Sequence, residues 1–120
     1  MNAPARPPSP GVILGFDDYR GPVERLAAHL DVPVGRILVH RFPDGESRVT
    51  VPTPLPADVA ICRSFDHPND KLVEAILAVE TARKQGARTV SLIAPYLCYM
   101  RQDIAFAPGE AVSQRIVGRV

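Results

Sequence analysis

The sequence predicts an α/β domain: a three-layer, mostly parallel sheet with helices on both faces. Three observations predict it. Several apolar runs, among them Val12-Ile13-Leu14, Asp58-Val59-Ala60-Ile61-Cys62 and Thr89-Val90-Ser91-Leu92-Ile93-Ala94, are too short for helices and read as buried strands. Stretches of helical periodicity lie between them. Proline and glycine punctuate the boundaries. Strands alternating with helices of this length call for right-handed βαβ units, whose ligands sit beyond the carboxyl ends of the strands.

Residues 1–10 are rich in proline, alanine and serine and are expected to form a flexible tail, with an α/β domain over residues 11–120. Order is expected to begin at Val12, with Gly15 closing the first strand. Pro22 suits a first helical turn, Val23, Leu26, Ala27 and Leu30 follow at helical spacing, and Pro33 ends that helix. Arg36-Ile37-Leu38-Val39-His40 reads as the next strand. Pro43-Asp44-Gly45 is turn chemistry, and Ser47-Arg48-Val49-Thr50-Val51 alternates as a half-solvated strand does.

The strongest helix is expected over residues 68–85. Pro68, Asn69 and Asp70 are start signals. Leu72, Ile76 and Val79 form the expected core face, with Val73 and Leu77 beside it. Glu80 and Lys84 are spaced as an i,i+4 pair, and Gly86 is placed as the left-handed stop. A final helix with Val112, Ile116, Val117 and Val120 on one side runs to the last residue, which suggests a truncated chain.

Composition narrows the function classes. The 120 residues carry a net charge of +1 with acids and bases interspersed, so no nucleic-acid partner is expected. No apolar run approaches the roughly 20 residues of a membrane span, and no membrane partner is expected either. Cys62 and Cys98, both in apolar surroundings, fit a reducing compartment, and a cytoplasmic protein is expected. His29, His40 and His67 have no partner at ligand or triad spacing. There is no Gly-x4-Gly-Lys-Ser/Thr phosphate loop. Asp17-Asp18 read as helix-start acids in a solvated turn.

Two stretches carry more specific information. One is Arg41-Phe42-Pro43-Asp44-Gly45-Glu46. The other begins at Pro68-Asn69-Asp70-Lys71-Leu72, continues through Ala94-Pro95-Tyr96-Leu97-Cys98-Tyr99-Met100-Arg101-Gln102-Asp103 and reaches Pro108-Gly109-Glu110. In order and spacing these blocks resemble the ribose-phosphate pyrophosphokinase family over roughly residues 12–120. The resemblance implies a phosphoribosyltransferase-like fold, here the amino-terminal of two domains, with the second absent. It implies transfer of the β,γ-pyrophosphoryl group of Mg-ATP to the C1 hydroxyl of ribose 5-phosphate, giving phosphoribosyl pyrophosphate for nucleotide biosynthesis.

By the same resemblance Phe42 stacks on adenine, Asp44 and Glu46 bond the base edge, and the loop reaches into the ATP site of a neighbouring subunit of a homo-oligomer. Arg101 is the candidate catalytic residue on the ATP phosphates, Gln102 contacts the ATP ribose, and Asp103 fixes the loop. The physical chemistry agrees: adenine needs a flat apolar face and directional acceptors, and an arginine fork suits phosphoryl oxygens. Magnesium is the expected cofactor, with its ligands mainly in the missing half and none here. Ile104, Ala105, Phe106 and Ala107 stand where the family usually carries basic residues, which opens an alternative, a catalytically silent regulatory homologue. A bare nucleotide-binding module would explain the fold but not both motifs.

Overall fold

The computed structural model describes residues 9–96 and 108–109. The expected last helix, with Val112, Ile116, Val117 and Val120, lies outside the described residues, as do Cys98, Arg101, Gln102 and Asp103. Among the described residues five strands and two helices follow in chain order: β1 (Val12–Phe16), α1 (Arg20–Leu30), β2 (Val34–Arg41), β3 (Ser47–Thr50), β4 (Asp58–Cys62), α2 (Pro68–Lys84) and β5 (Thr89–Ile93), with a 3-10 turn, Asp17–Tyr19, between β1 and α1.

The strands form one sheet in the order β3-β2-β1-β4-β5. β1 runs parallel to β2 and β4, and β4 parallel to β5; β3 returns antiparallel on β2 at the edge. The register follows from side-chain alternation. Val12 and Leu14 of β1 stand beside Val59 and Ile61 of β4 and, with Phe16, face Ala78 and Ala82 of α2. Ile13, Ala60 and Cys62 point the other way and meet Val23 and Ala27 of α1. Among the described residues one helix therefore covers each face, and the sequence predicts helices on both.

Local chemistry sets the helix ends. α1 begins two residues before Pro22, which occupies its first turn. It stops at Asp31, which is left-handed, with the Val32 N–H donating to the Ala27 carbonyl at 3.0 Å. α2 begins at Pro68 and ends as expected, with Gly86 at a φ of 105° and the Ala87 N–H donating to the Ala82 carbonyl at 3.0 Å. Among the described residues no helix is long and apolar enough to cross a membrane.

Two expectations for α2 are corrected. Its buried residues are Glu74, Ala75, Ala78 and Ala82, while Val73, Ile76 and Leu77 are exposed and only Leu72 and Val79 pack partly against the core. The small alanine side chains let the helix lie close to the sheet, and close packing decides which face turns inward more than residue size does. Glu80 accepts from Arg83 Nη1 at 3.2 Å, at i,i+3, rather than from Lys84. β2 is also longer than the expected 36–40, because the Ile13 N–H donates to the Pro33 carbonyl at 3.0 Å and starts parallel pairing at once.

Candidate functional site

The Phe42–Glu46 segment is the tip of the β2–β3 hairpin, beyond the carboxyl end of β2. Pairing of Arg41 with Ser47 closes the ladder. The Phe42 N–H then donates to the Glu46 carbonyl at 2.8 Å and the Gly45 N–H to the Phe42 carbonyl at 2.9 Å. Gly45 takes a φ of 94°, which a residue with a Cβ rarely adopts, and Asp44 Oδ1 accepts from the Glu46 N–H at 3.0 Å. Phe42 is therefore in a plain hairpin turn without being a core residue. The residue is 37% exposed, its ring is edge-to-face with His40 at 4.9 Å between centroids, and the Arg48 guanidinium lies 5.8 Å from the ring centre. The side chains of Asp44 and Glu46 are exposed on the same tip.

A charged network joins this hairpin to the strand ends. Arg41 donates from Nη1 to Asp70 Oδ2 at 2.9 Å and from Nη2 to Glu74 Oε2 at 3.0 Å. The other oxygen of Glu74, Oε1, accepts from Arg63 Nη2 at 2.9 Å. Arg63 follows β4 directly and is 5% exposed; Glu74 is 4% exposed. The Arg63 guanidinium also donates to both oxygens of Asp18 at 3.0 to 3.3 Å and lies 3.8 Å from the centre of the Phe16 ring. Lys71 adds bonds to the Ser64 carbonyl at 3.3 Å and to Asp66 Oδ1 at 3.0 Å. The ionic hydrogen bond that Arg41 donates to Asp70 holds its guanidinium above the ordinary pKa, and the one that Asp66 accepts from Lys71 holds its carboxyl below its own.

Asp17 and Asp18 are therefore not merely solvated helix-start acids. Asp17 accepts from Arg36 Nε and Nη2, both at 2.6 Å, and Asp18 pairs with Arg63. The first of these bonds joins the end of β1 to β2, the second joins it to β4. Arg63 and Glu74 escape the sequence reading, although a signal exists. Arg63 continues an apolar strand without a break, and Glu74 shares the α2 face of Ala78 and Ala82 at i, i+4 and i+8.

Three clefts adjoin these groups. A cleft of about 320 Å³ runs between the hairpin and α2, lined by Gly45, Glu46, Ser47, Asp70, Val73 and Leu77. Another, of about 160 Å³, lies over Phe16, Asp18, Arg63 and Glu74 at the strand ends. The third, of about 270 Å³ beside α1, is lined by Arg20, Glu24, Asp17 and Arg36, whose charges already face one another. Among the described residues no three His, Cys, Asp or Glu side chains are grouped to hold a metal. The carboxylates of Asp17, Asp18, Asp70 and Glu74 do not fit magnesium, because arginines already engage them. Burial pushes the Cys62 thiol up, which suits a packing residue.

Comparison with known proteins bears on the family and the fold. Residues 12–120 match the family model of the N-terminal domain of ribose phosphate pyrophosphokinase. The ribose-phosphate pyrophosphokinase of Methanopyrus kandleri is 46% identical over 96 residues, covering 79% of this chain and 33% of that protein. That of Saccharolobus solfataricus is 38% identical over 108 residues, covering 88% and 37%. The chain thus spans about a third of the length of these curated relatives. Among solved structures, phosphoribosylpyrophosphate synthetase from Mycobacterium smegmatis superposes with a TM-score of 0.77 at 23% identity, over 91% of this chain and 38% of that one. A purine phosphoribosyltransferase from Pyrococcus horikoshii gives 0.53 at 24% identity, over 75% and 65%. These last two show the fold, and the family model with its curated relatives shows the kinship: the chain belongs to the family of ribose-phosphate pyrophosphokinase N-terminal domains.

Proposed function

We propose that this chain is the ATP-handling part of a ribose-phosphate diphosphokinase, which transfers the pyrophosphoryl group of ATP to C1 of ribose 5-phosphate. The observation that carries the reading is the hairpin tip. It sets an exposed aromatic face and two exposed carboxylates side by side, beyond a strand end of a family member's sheet. Adenine stacks on the free face of Phe42. Asp44 keeps Oδ2 for the exocyclic amine while Oδ1 is held by the turn, and Glu46 offers a second acceptor.

Arg101 and Gln102 complete the site by their place in the family motif, Arg101 on the phosphoryl oxygens as charge develops there and Gln102 on the ribose. Magnesium accompanies the ATP in this reading, and the described residues offer it no ligand set. The same reading makes the protein a cytoplasmic homo-oligomer whose hairpin serves a neighbouring subunit's site, with ATP and ribose 5-phosphate as its partners. The test is release of AMP from ATP with magnesium present. Turnover that depends on ribose 5-phosphate is expected of the intact protein carrying this chain, and none of residues 1–120 alone. Nucleotide binding without sugar-dependent turnover in the intact protein would favour the silent regulatory homologue, which the apolar residues after Asp103 suggest.

A further inference from the structure

The hairpin tip needs an anchor that its own backbone does not supply. Among the described residues β3 has one neighbour in the sheet, β2, and the ladder ends at Arg41 and Ser47. Beyond that point, among the described residues, the backbone bonds of the tip are those of its own turn, and Phe42 touches only its hairpin neighbours His40 and Arg48. Arg41, the residue before Phe42, reaches across to α2 and grips two carboxylates one helical turn apart, Asp70 and Glu74. These two are not equivalent. Asp70 is exposed, whereas Glu74 is buried and its second oxygen is fixed by Arg63, which is packed on Phe16 and bonded to Asp18.

A carboxylate that accepts from a different arginine on each oxygen has little rotational freedom left. An unbroken series of contacts therefore runs from the ends of β1 and β4 to the residue that precedes Phe42. We propose that Glu74, acting through Arg41, is a positioning residue that sets where the hairpin presents Phe42, Asp44 and Glu46. Its consequence for nucleotide affinity rests on the function proposed above; the tether itself does not. Orientation of groups that meet a ligand governs how much of their contact energy is realised.

Arg41→Met unties the hairpin while leaving the buried Arg63–Glu74 pair intact, so the fold is expected to survive. Hydrogen exchange of the hairpin in the intact protein should accelerate by about fivefold or more, with β1 and β4 unchanged. Arg41→Lys, which reaches one carboxylate but not both, should restore part of the protection. Glu74→Gln should loosen the same segment. In steady-state assays Arg41→Met should raise the KM for ATP about three- to tenfold and leave kcat within about twofold.

Unchanged exchange in Arg41→Met and in Glu74→Gln, with both folded by circular dichroism, overturns the tether whatever reaction the protein performs. Loosened exchange with an unchanged KM for ATP overturns its role in nucleotide affinity. Absence of sugar-dependent turnover in the unsubstituted protein counts against the proposed function instead, and the exchange measurement still decides the tether.

Discussion

Arg63 and Glu74 form an ion pair inside the molecule, Nη2 to Oε1 at 2.9 Å, with neither residue more than 5% exposed. Burying two charges is costly, and here each is compensated several times over, Arg63 by Asp18 and the Phe16 ring, Glu74 by Arg41. Removing one partner leaves the other charge buried without its match. Arg63→Ala is expected to destabilise the fold by about 3–5 kcal/mol. Arg63→Met combined with Glu74→Leu should cost less than Arg63→Ala alone, since the charges that then lose a partner, Asp18 and Arg41, are partly exposed rather than buried. Urea unfolding of the variants checks the order.

The alanine face of α2 leads to a second expectation. Ala78 is fully buried against the sheet and Ile76 is exposed. Ala78→Leu should destabilise by about 1–3 kcal/mol through overpacking. Ile76→Ser should stay within about 0.5 kcal/mol, as exposed positions do. A large loss from Ile76→Ser and none from Ala78→Leu would restore the face expected from periodicity alone.

Asp17 supplies a pH dependence with a definite sign. Its hydrogen bonds from Arg36, ahead of the attraction between the charges, hold its carboxyl below the ordinary value of 3.8. The stabilisation is therefore complete above that value and is lost as pH falls through the lowered one. The pair is exposed, so the contribution is small and screened by salt. Asp17→Asn should fall below the unsubstituted protein by a constant amount near neutrality, and the gap should close in acid below pH 3.8. Stability measured across that range at low salt shows whether it does.

Phe42 is exposed enough that its loss should matter little to folding. If the proposed function holds, Phe42→Ala in the intact protein should mainly raise the KM for ATP, by an amount that matches a stack of about 1–3 kcal/mol, with kcat nearly kept. Tryptophan at this position should preserve affinity. A variant that loses kcat and keeps KM would move Phe42 out of ground-state binding.

Arg101 should show the opposite split. Arg101→Ala is expected mainly to lower kcat, and lysine to rescue it poorly for want of the planar fork. Because the hairpin is read as serving a neighbouring subunit, mixtures of Phe42→Ala and Arg101→Ala chains should recover activity above the average of the two. No recovery after verified subunit exchange would place both residues in one chain's site or overturn the roles assigned to them.

Much of the fold was written in local chemistry. β4 spans Asp58–Cys62, as its apolar run indicates, α2 starts at Pro68 and stops before Gly86, and Pro43-Asp44-Gly45 makes the turn that its residue types demand. These features depend on backbone preferences and on periods of two or about 3.6, which a chain carries residue by residue. The two motifs in sequence were enough to indicate the family. What the tertiary structure alone decided is which side of α2 turns inward and how the strand ends are wired. Asp18 meets Arg63 across 45 residues and Arg41 meets Glu74 across 33. Such pairs follow from the strand order β3-β2-β1-β4-β5, which brings distant carboxyl ends to one edge of the sheet. No local pattern encodes that meeting, because a buried charge is tolerated only where its distant partners arrive with it.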